Sequence, residues 1–242
     1  GMLLVLEGWA EQSNAAEVDA LLASSPNTVY IKSNPTPEDN TPVKLKNNAF
    51  ARIFELVGNM YALPKYGTID LTPFFAPFYM LFFAICLCDA GYGAVILAAG
   101  VALLLKGGKK MRQAALFSTI CGVASVVFGF AANSFFGMTI SDAPLFENFK
   151  FLDFQNQFFY ASLGIGIFQI LFGMAINIVM TTVTYGFKNA LGSLGWFLLI
   201  FSSCVAGIAG MVGVEWYSFS SVAYMVTVGV ALILMLLLNK PS

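Results

Sequence analysis

Few residues in this chain have both the type and the setting to do chemistry. Asp89 is the only carboxylate inside an apolar run, flanked by Gly91 and Gly93. An ionisable group at membrane depth needs a partner or water to offset its desolvation, so it is a functional candidate by default. The competing reading is structural. A carboxylate followed by two glycines also suits the tip of a helical hairpin, where it caps a helix end and meets water. Gln169, Gly173 and Asn177 recur every four residues and so share one helix face. Two amides across a small residue fit interhelical packing better than direct ion handling. Gly207, Gly210 and Gly213, spaced by three, are expected to pack in the same way.

The remaining chemistry is mostly excluded. The chain has no histidine, which removes His-based triads, zincin motifs and haem ligation. Cys86, Cys88, Cys121 and Cys204 all fall in apolar runs, where a cysteine serves as a small hydrophobe, and no metal or other cofactor is expected. Neither a phosphate-cradling glycine loop with its lysine nor a dinucleotide fingerprint occurs, so nucleotide chemistry would have to belong to partners. A net charge of −1 argues against nucleic acid as a ligand.

The elements that must position these residues are membrane elements. The chain is 58% hydrophobic and 10% charged, with 24 Phe and a mean hydropathy of +0.78, whereas soluble domains carry about 25% charged residues. The polar residues crowd toward the start, before Pro73. There the pattern predicts a small α+β piece over 1–46, with strands at Leu3–Leu6 and Thr28–Lys32 around a helix at Ala15–Ala23. An amphipathic connecting helix and the entry to the membrane follow over 47–73, with Thr72 as N-cap, Pro73 as the first helical residue and Asp70 complementing the helix dipole.

The membrane part, 74–242, is predicted to be an all-α polytopic bundle. Four runs, 114–136, 158–180, 194–214 and 219–238, are long enough to cross a bilayer core, which takes about 20 helical residues. The run 74–105 is too long for one span and is read as a hairpin of two short helices, 74–88 and 92–105, giving six passes. Charge distribution supports that count. Lys106, Lys109, Lys110 and Arg112 mark a cytoplasmic loop, Asp142, Glu147 and Asp153 an outer segment, Lys188 an inner one, Glu215 an outer one and Lys240 an inner end. Both ends are then cytoplasmic.

Several segments, in order, resemble the subunit I (subunit a) family of V-type ATPases. They are Leu6-Glu7-Gly8-Trp9, Pro42-Val43-Lys44-Leu45-Lys46-Asn47-Asn48, Phe54-Glu55, Met60-Tyr61 and the run from Pro64 through Gly67-Thr68-Ile69-Asp70-Leu71-Thr72-Pro73. The most specific is Pro77-Phe78-Tyr79-Met80-Leu81-Phe82-Phe83 followed by Asp89-Ala90-Gly91-Tyr92-Gly93, similar to the family's GDxGYG signature. Ser134-Phe135-Phe136-Gly137 is similar to its SFFG. Cys88 stands where glycine is usual and Leu71 where proline is usual, and both departures bear on local backbone shape.

The resemblance implies a multi-pass membrane stator subunit that couples proton or sodium flow to ATP hydrolysis or synthesis. Its implied partners are a rotor ring of proteolipid subunits, peripheral stalk subunits, soluble ATPase subunits and the bilayer. In a prokaryote it would lie in the cell membrane. Family members have a large cytoplasmic arm and eight membrane helices, with an essential arginine on the seventh, so this chain is expected to be a piece of such a protein. No position here corresponds to that arginine. The rival weighed against this reading is a secondary transporter or channel acting alone, which would show a midplane site and an inverted repeat.

Overall fold

The computed structural model describes residues 5–35, 39, 41–61, 64, 68–146, 151 and 157–237. Two units are distinguished, Gly1–Phe74 and Phe75–Ser242.

In the first unit, α1 (Ala15–Ala23) falls where the sequence places it. Among the described residues the flanking strands do not form: 28–32 has no regular structure, and Val29 and Ile31 are 96% and 94% exposed. A strand needs a neighbour for its backbone hydrogen bonds and its apolar face. The expected neighbour does not supply one, since Val5 and Leu6 are irregular and exposed, while Leu3 and Leu4 lie outside the described residues. The amphipathic helix is α2 (Ala49–Tyr61), which buries Ala51, Phe54 and Val57 on one face. Asn48 starts it, its Oδ1 accepting from the Ala51 N–H at 2.7 Å.

α3 (Thr72–Leu87) opens differently from the expectation. Thr72 is the first helical residue and Asp70 does the capping, its Oδ1 accepting from the Thr72 N–H at 2.8 Å and the Thr72 hydroxyl at 2.7 Å. Asn47 ties this turn to α2, because its Nδ2 donates to Asp70 Oδ2 at 2.6 Å and to Glu55 Oε1 at 2.8 Å.

Among its described residues, the second unit is helical apart from turns and one two-stranded ribbon. α3 and α4 (Ala90–Lys106) form the short pair, and α5 (Arg112–Ala131), α6 (Phe159–Tyr185), α7 (Phe187–Val212) and α8 (Val222–Leu237) follow. Four helical segments, 109–131, 159–185, 187–212 and 215–236, are long and apolar enough to cross a membrane, and α3 and α4 are shorter apolar helices. Helices suit this environment because they satisfy their own backbone polar groups where water is absent.

Two boundaries differ from the sequence reading. α5 stops at Ala131 rather than 136, because Asn133 takes a left-handed conformation (φ 61°) and the chain turns back as the ribbon β1 (Ser134–Phe135) and β2 (Met138–Thr139). The loop expected over 181–193 is also absent: α6 and α7 run on until they are separated by Gly186 alone, at φ 87° and ψ 155°. Only glycine occupies that region without strain. Glu147, Asp153 and Lys240, used in the charge argument, lie outside the described residues.

Small residues dominate the buried positions of this unit: Ala76, Ala84, Ala90, Ala115, Cys121, Ser125, Ala190, Ser202, Ala206 and Ala231. That is the composition of close-packed membrane helices, where backbones approach and large side chains face lipid. α4 meets α5 through two glycine pairs one heptad apart, Gly93 and Gly100 on one helix and Gly122 and Gly129 on the other. α7 meets α8 at Gly195, where a Cβ would lie 2.7 Å from the Ala231 carbonyl oxygen, and through the Ser203 and Tyr224 hydroxyls at 3.1 Å.

Candidate functional site

Asp89 occupies the turn between α3 and α4, with only 5% of its surface exposed. It is the N-cap of α4: its Oδ1 accepts from the Gly91 and Tyr92 N–H groups at 2.9 and 3.0 Å. An aspartate in extended conformation ahead of a helix is the ordinary way to satisfy first-turn donors. Three further donors come from more than forty residues away. The Phe136 N–H reaches Oδ1 at 2.9 Å, while the Ser134 hydroxyl and the Gly137 N–H reach Oδ2 at 2.7 and 2.8 Å.

Those distant donors are presented by the ribbon. Its register pairs Ser134 with Thr139 and Phe135 with Met138, leaving Phe136-Gly137 as a two-residue loop with both residues at positive φ (51° and 74°). That is the pattern of a type I′ turn, whose twist matches a two-stranded ribbon. The conformation turns both loop N–H groups toward the carboxylate, a small anion-holding nest made of backbone. Asn133 closes the base, accepting from the Ser141 N–H at 2.8 Å and donating to the Ser141 hydroxyl at 2.9 Å.

Five donors meet two carboxylate oxygens, which offer about four lone-pair sites. The arrangement calls for the ionised, acceptor-only form and leaves it no free lone pair.

Gly91 and Gly93 are not at the hairpin tip, where the sequence reading put them. The turn falls at Cys88-Asp89, and both glycines lie inside α4, buried. Each is small for a packing reason. A Cβ on Gly91 would meet the Phe136 ring at 2.5 Å, and one on Gly93 would meet the Val126 backbone nitrogen at 2.7 Å. The Phe136 ring, seated over Gly91, meets Tyr92 edge-on with centroids 5.2 Å apart. Cys88 adopts φ 43°, a left-handed conformation that costs an L-residue about 1–2 kcal/mol. The usual glycine of the signature thus has a backbone reason at this position.

The second candidate face lies on α6, apart from Asp89. Gly173 and Asn177 are exposed and Gln169 is half-buried. A Cβ on Gly173 would meet nothing within 4 Å, so no neighbouring backbone of this chain approaches there. Asn177 reaches α7 through one long contact, 3.4 Å to the Ser193 hydroxyl. Among the described residues the other glycine row makes no close backbone approach either: Gly207 has only ordinary contact with Phe219, Gly210 has none, and Gly213 (φ 81°) ends α7.

Ser134 was read only as part of the SFFG motif, without its contact to Asp89, and the pair Gly122 and Gly129 was missed. Gly129 lies so close to the Asp89 turn that a Cβ on it would be 2.1 Å from the Ala90 nitrogen. Heptad spacing of glycines in two successive apolar runs could have revealed that seam.

Two cavities open near these elements, and neither is lined by a charged side chain. One, of about 400 Å³, lies among Ile85, Phe128, Phe158 and Ile165, and the other, of about 330 Å³, beside Cys88, Ser134 and Met138. Among the described residues no group of acidic, cysteine or histidine side chains is placed to hold a metal.

Residues 1–141 match the family model described as the V-type ATPase 116 kDa subunit family. The A-type ATP synthase subunit I of Methanothermobacter thermautotrophicus is 30% identical over 225 residues, covering 86% of this chain and 33% of the relative. That of Pyrococcus horikoshii is 30% identical over 224 residues, covering 88% and 34%. The V-type ATP synthase subunit I of Chlamydia trachomatis is 29% identical over 156 residues, covering 61% and 23%. The chain thus spans about a third of the length of the first two of these relatives. The matched region contains α3, α4, α5, Asp89 and the ribbon that binds it, and on that match the chain belongs to the V-type ATPase 116 kDa subunit family.

Proposed function

We propose that the chain supplies the bracing part of a rotary ATPase's membrane stator, a subunit through which proton or sodium flow is coupled to ATP synthesis or hydrolysis. Its partners in that role are the rotor ring of proteolipid subunits, the peripheral stalk subunits and the soluble ATPase subunits. The six-pass reading, with the short α3–α4 pair as a hairpin and the amino-terminal part in the cytoplasm, belongs to the same proposal. At about 1.5 Å per residue, the 16 residues of α3 and 17 of α4 reach about 24 and 26 Å, slightly short of a bilayer core of about 30 Å.

The carrying observation is the saturation of Asp89. A proton relay must exchange a proton, and that requires a lone pair that can be released at low cost. Here each oxygen is held by at least two donors at 2.7–3.0 Å, in buried or partly buried bonds, and protonation would leave some of them unpaired. Asp89 therefore serves as a brace, and the ion-guiding charge of the subunit lies elsewhere. The sequence agrees, with no charged residue between Arg112 and Asp142, between Asp153 and Lys188, between Lys188 and Glu215, or between Glu215 and Lys240.

The test is Asp89→Asn and Asp89→Ala in the complete complex, scoring assembly and ion pumping separately. A brace gives fewer assembled complexes, each pumping at the normal rate. Normal assembly with pumping abolished would put Asp89 in the ion path and overturn the reading.

A further inference from the structure

We propose that the turn joining α4 to α5 is a docking surface for the phosphate headgroups of anionic phospholipids. Lys106 ends α4, Lys109 and Lys110 lie in a single 3-10 turn, and Arg112 begins α5, so four cations share one end of a closely packed helix pair. All four are exposed. Among the described residues none forms an ion pair, and the chain has no acidic residue between Asp89 and Asp142.

The turn has no slack to spread these charges. The Gly107 N–H donates to the Leu103 carbonyl at 2.7 Å, and the Met111 N–H to that of Gly108 at 3.0 Å. A Cβ on Gly107 would lie 2.4 Å from the Leu103 oxygen. Helix energetics does not account for the cluster either. Lys106 favours the carboxyl end of α4, but Lys109, Lys110 and Arg112 stand at the amino end of α5, where the dipole disfavours cations.

An excess of basic residues would by itself fix only the orientation of the loop. The apolar neighbours add a ligand preference. Leu105 and Met111, interleaved with the cations, are 81% and 45% exposed. Charged ends above apolar stems and side chains match the level at which lipid phosphates meet acyl chains. An acidic protein surface would satisfy the charges but leave Leu105 without an apolar partner. The proposal requires that the chain lie in a bilayer and is independent of ion pumping.

The experiment reconstitutes the full chain in phosphatidylcholine bilayers containing trace spin-labelled phosphatidylglycerol or phosphatidylcholine, and measures their relative association with the protein. The wild type is expected to prefer phosphatidylglycerol, with each charge removed weakening association at this turn by about fivefold. The preference should fall as ionic strength rises. The quadruple variant K106Q/K109Q/K110Q/R112Q should lose it while keeping wild-type association with phosphatidylcholine, which also shows that the helices remain packed. Persistence of the preference in that variant overturns the proposal. So does its absence from the wild type, which would assign the patch to an acidic protein partner.

Discussion

Asp89 is both a helix cap and a long-range tie, and the two roles carry different energies. Replacing it with alanine leaves four backbone N–H groups and a hydroxyl without their acceptor. Asparagine keeps an oxygen for the Gly91, Tyr92 and Phe136 donors, and the Ser134 hydroxyl can rotate to accept from the new amide. Only the Gly137 N–H then faces another donor. Asp89→Ala is expected to cost on the order of 3–5 kcal/mol and Asp89→Asn about 1–2 kcal/mol, read as loss of thermal stability in detergent. Equal losses would contradict the hydrogen-bond geometry. The sequence already marked Asp89, but as one carboxylate with two open readings. Its decisive partners, Phe136 and Gly137, donate through the backbone and so leave no side-chain trace. Ser134 belongs to a four-residue motif that the sequence linked to a family but to no contact.

At the scale of elements, the α4–α5 seam depends on glycines for which no side chain can substitute. A Cβ at Gly129 would collide with the backbone of Asp89 and Ala90 at 2.2 and 2.1 Å, and backbone cannot step aside as a flexible side chain can. Gly129→Ala is expected to destabilise by at least about 1–3 kcal/mol through forced separation of the helices. Gly173→Ala, in open space on α6, should be neutral or gain up to about 1 kcal/mol from helix propensity. Melting temperatures of the two variants check the contrast. The helices themselves were legible, because long apolar runs leave little alternative in a bilayer. Their ends were not: Asn133 and Gly186 set them through positive-φ conformations, whereas hydropathy registers only how apolar each residue is. The three-residue row on α6, Gln169, Gly173 and Asn177, was legible as a face, but not what that face meets.

For the whole molecule, the sequence reading expects a polar beginning followed by an apolar remainder, and two compact units, Gly1–Phe74 and Phe75–Ser242, are distinguished. The strands expected near the start failed because strand propensity needs a partner strand, a non-local requirement that periodicity cannot test. What fixes the start of α3 within the first unit is the Asn47–Asp70–Thr72 cluster. Burial works to raise the Asp70 pKa, but hydrogen bonds from Thr72 and Asn47 outweigh it, so the folded-state value lies below the ordinary 3.8. A lowered carboxylate pKa stabilises the fold fully above the unfolded value, and that contribution disappears as pH falls through the folded one. Amide exchange at Thr72 is therefore expected to quicken as pH drops below about 4, after correction for intrinsic rates. Asp70→Asn should remove that acid dependence.

The one-residue junction at Gly186 bears on how the protein is made. A helix leaving the translocation machinery usually trails a loop long enough to let it settle before its successor emerges. With 27 residues of α6 and 26 of α7 hinged on a single glycine, there is no such tether. As a pair of membrane spans, the two segments would enter lipid as one folded-back unit. Insertion of α6 would then wait on the synthesis of α7.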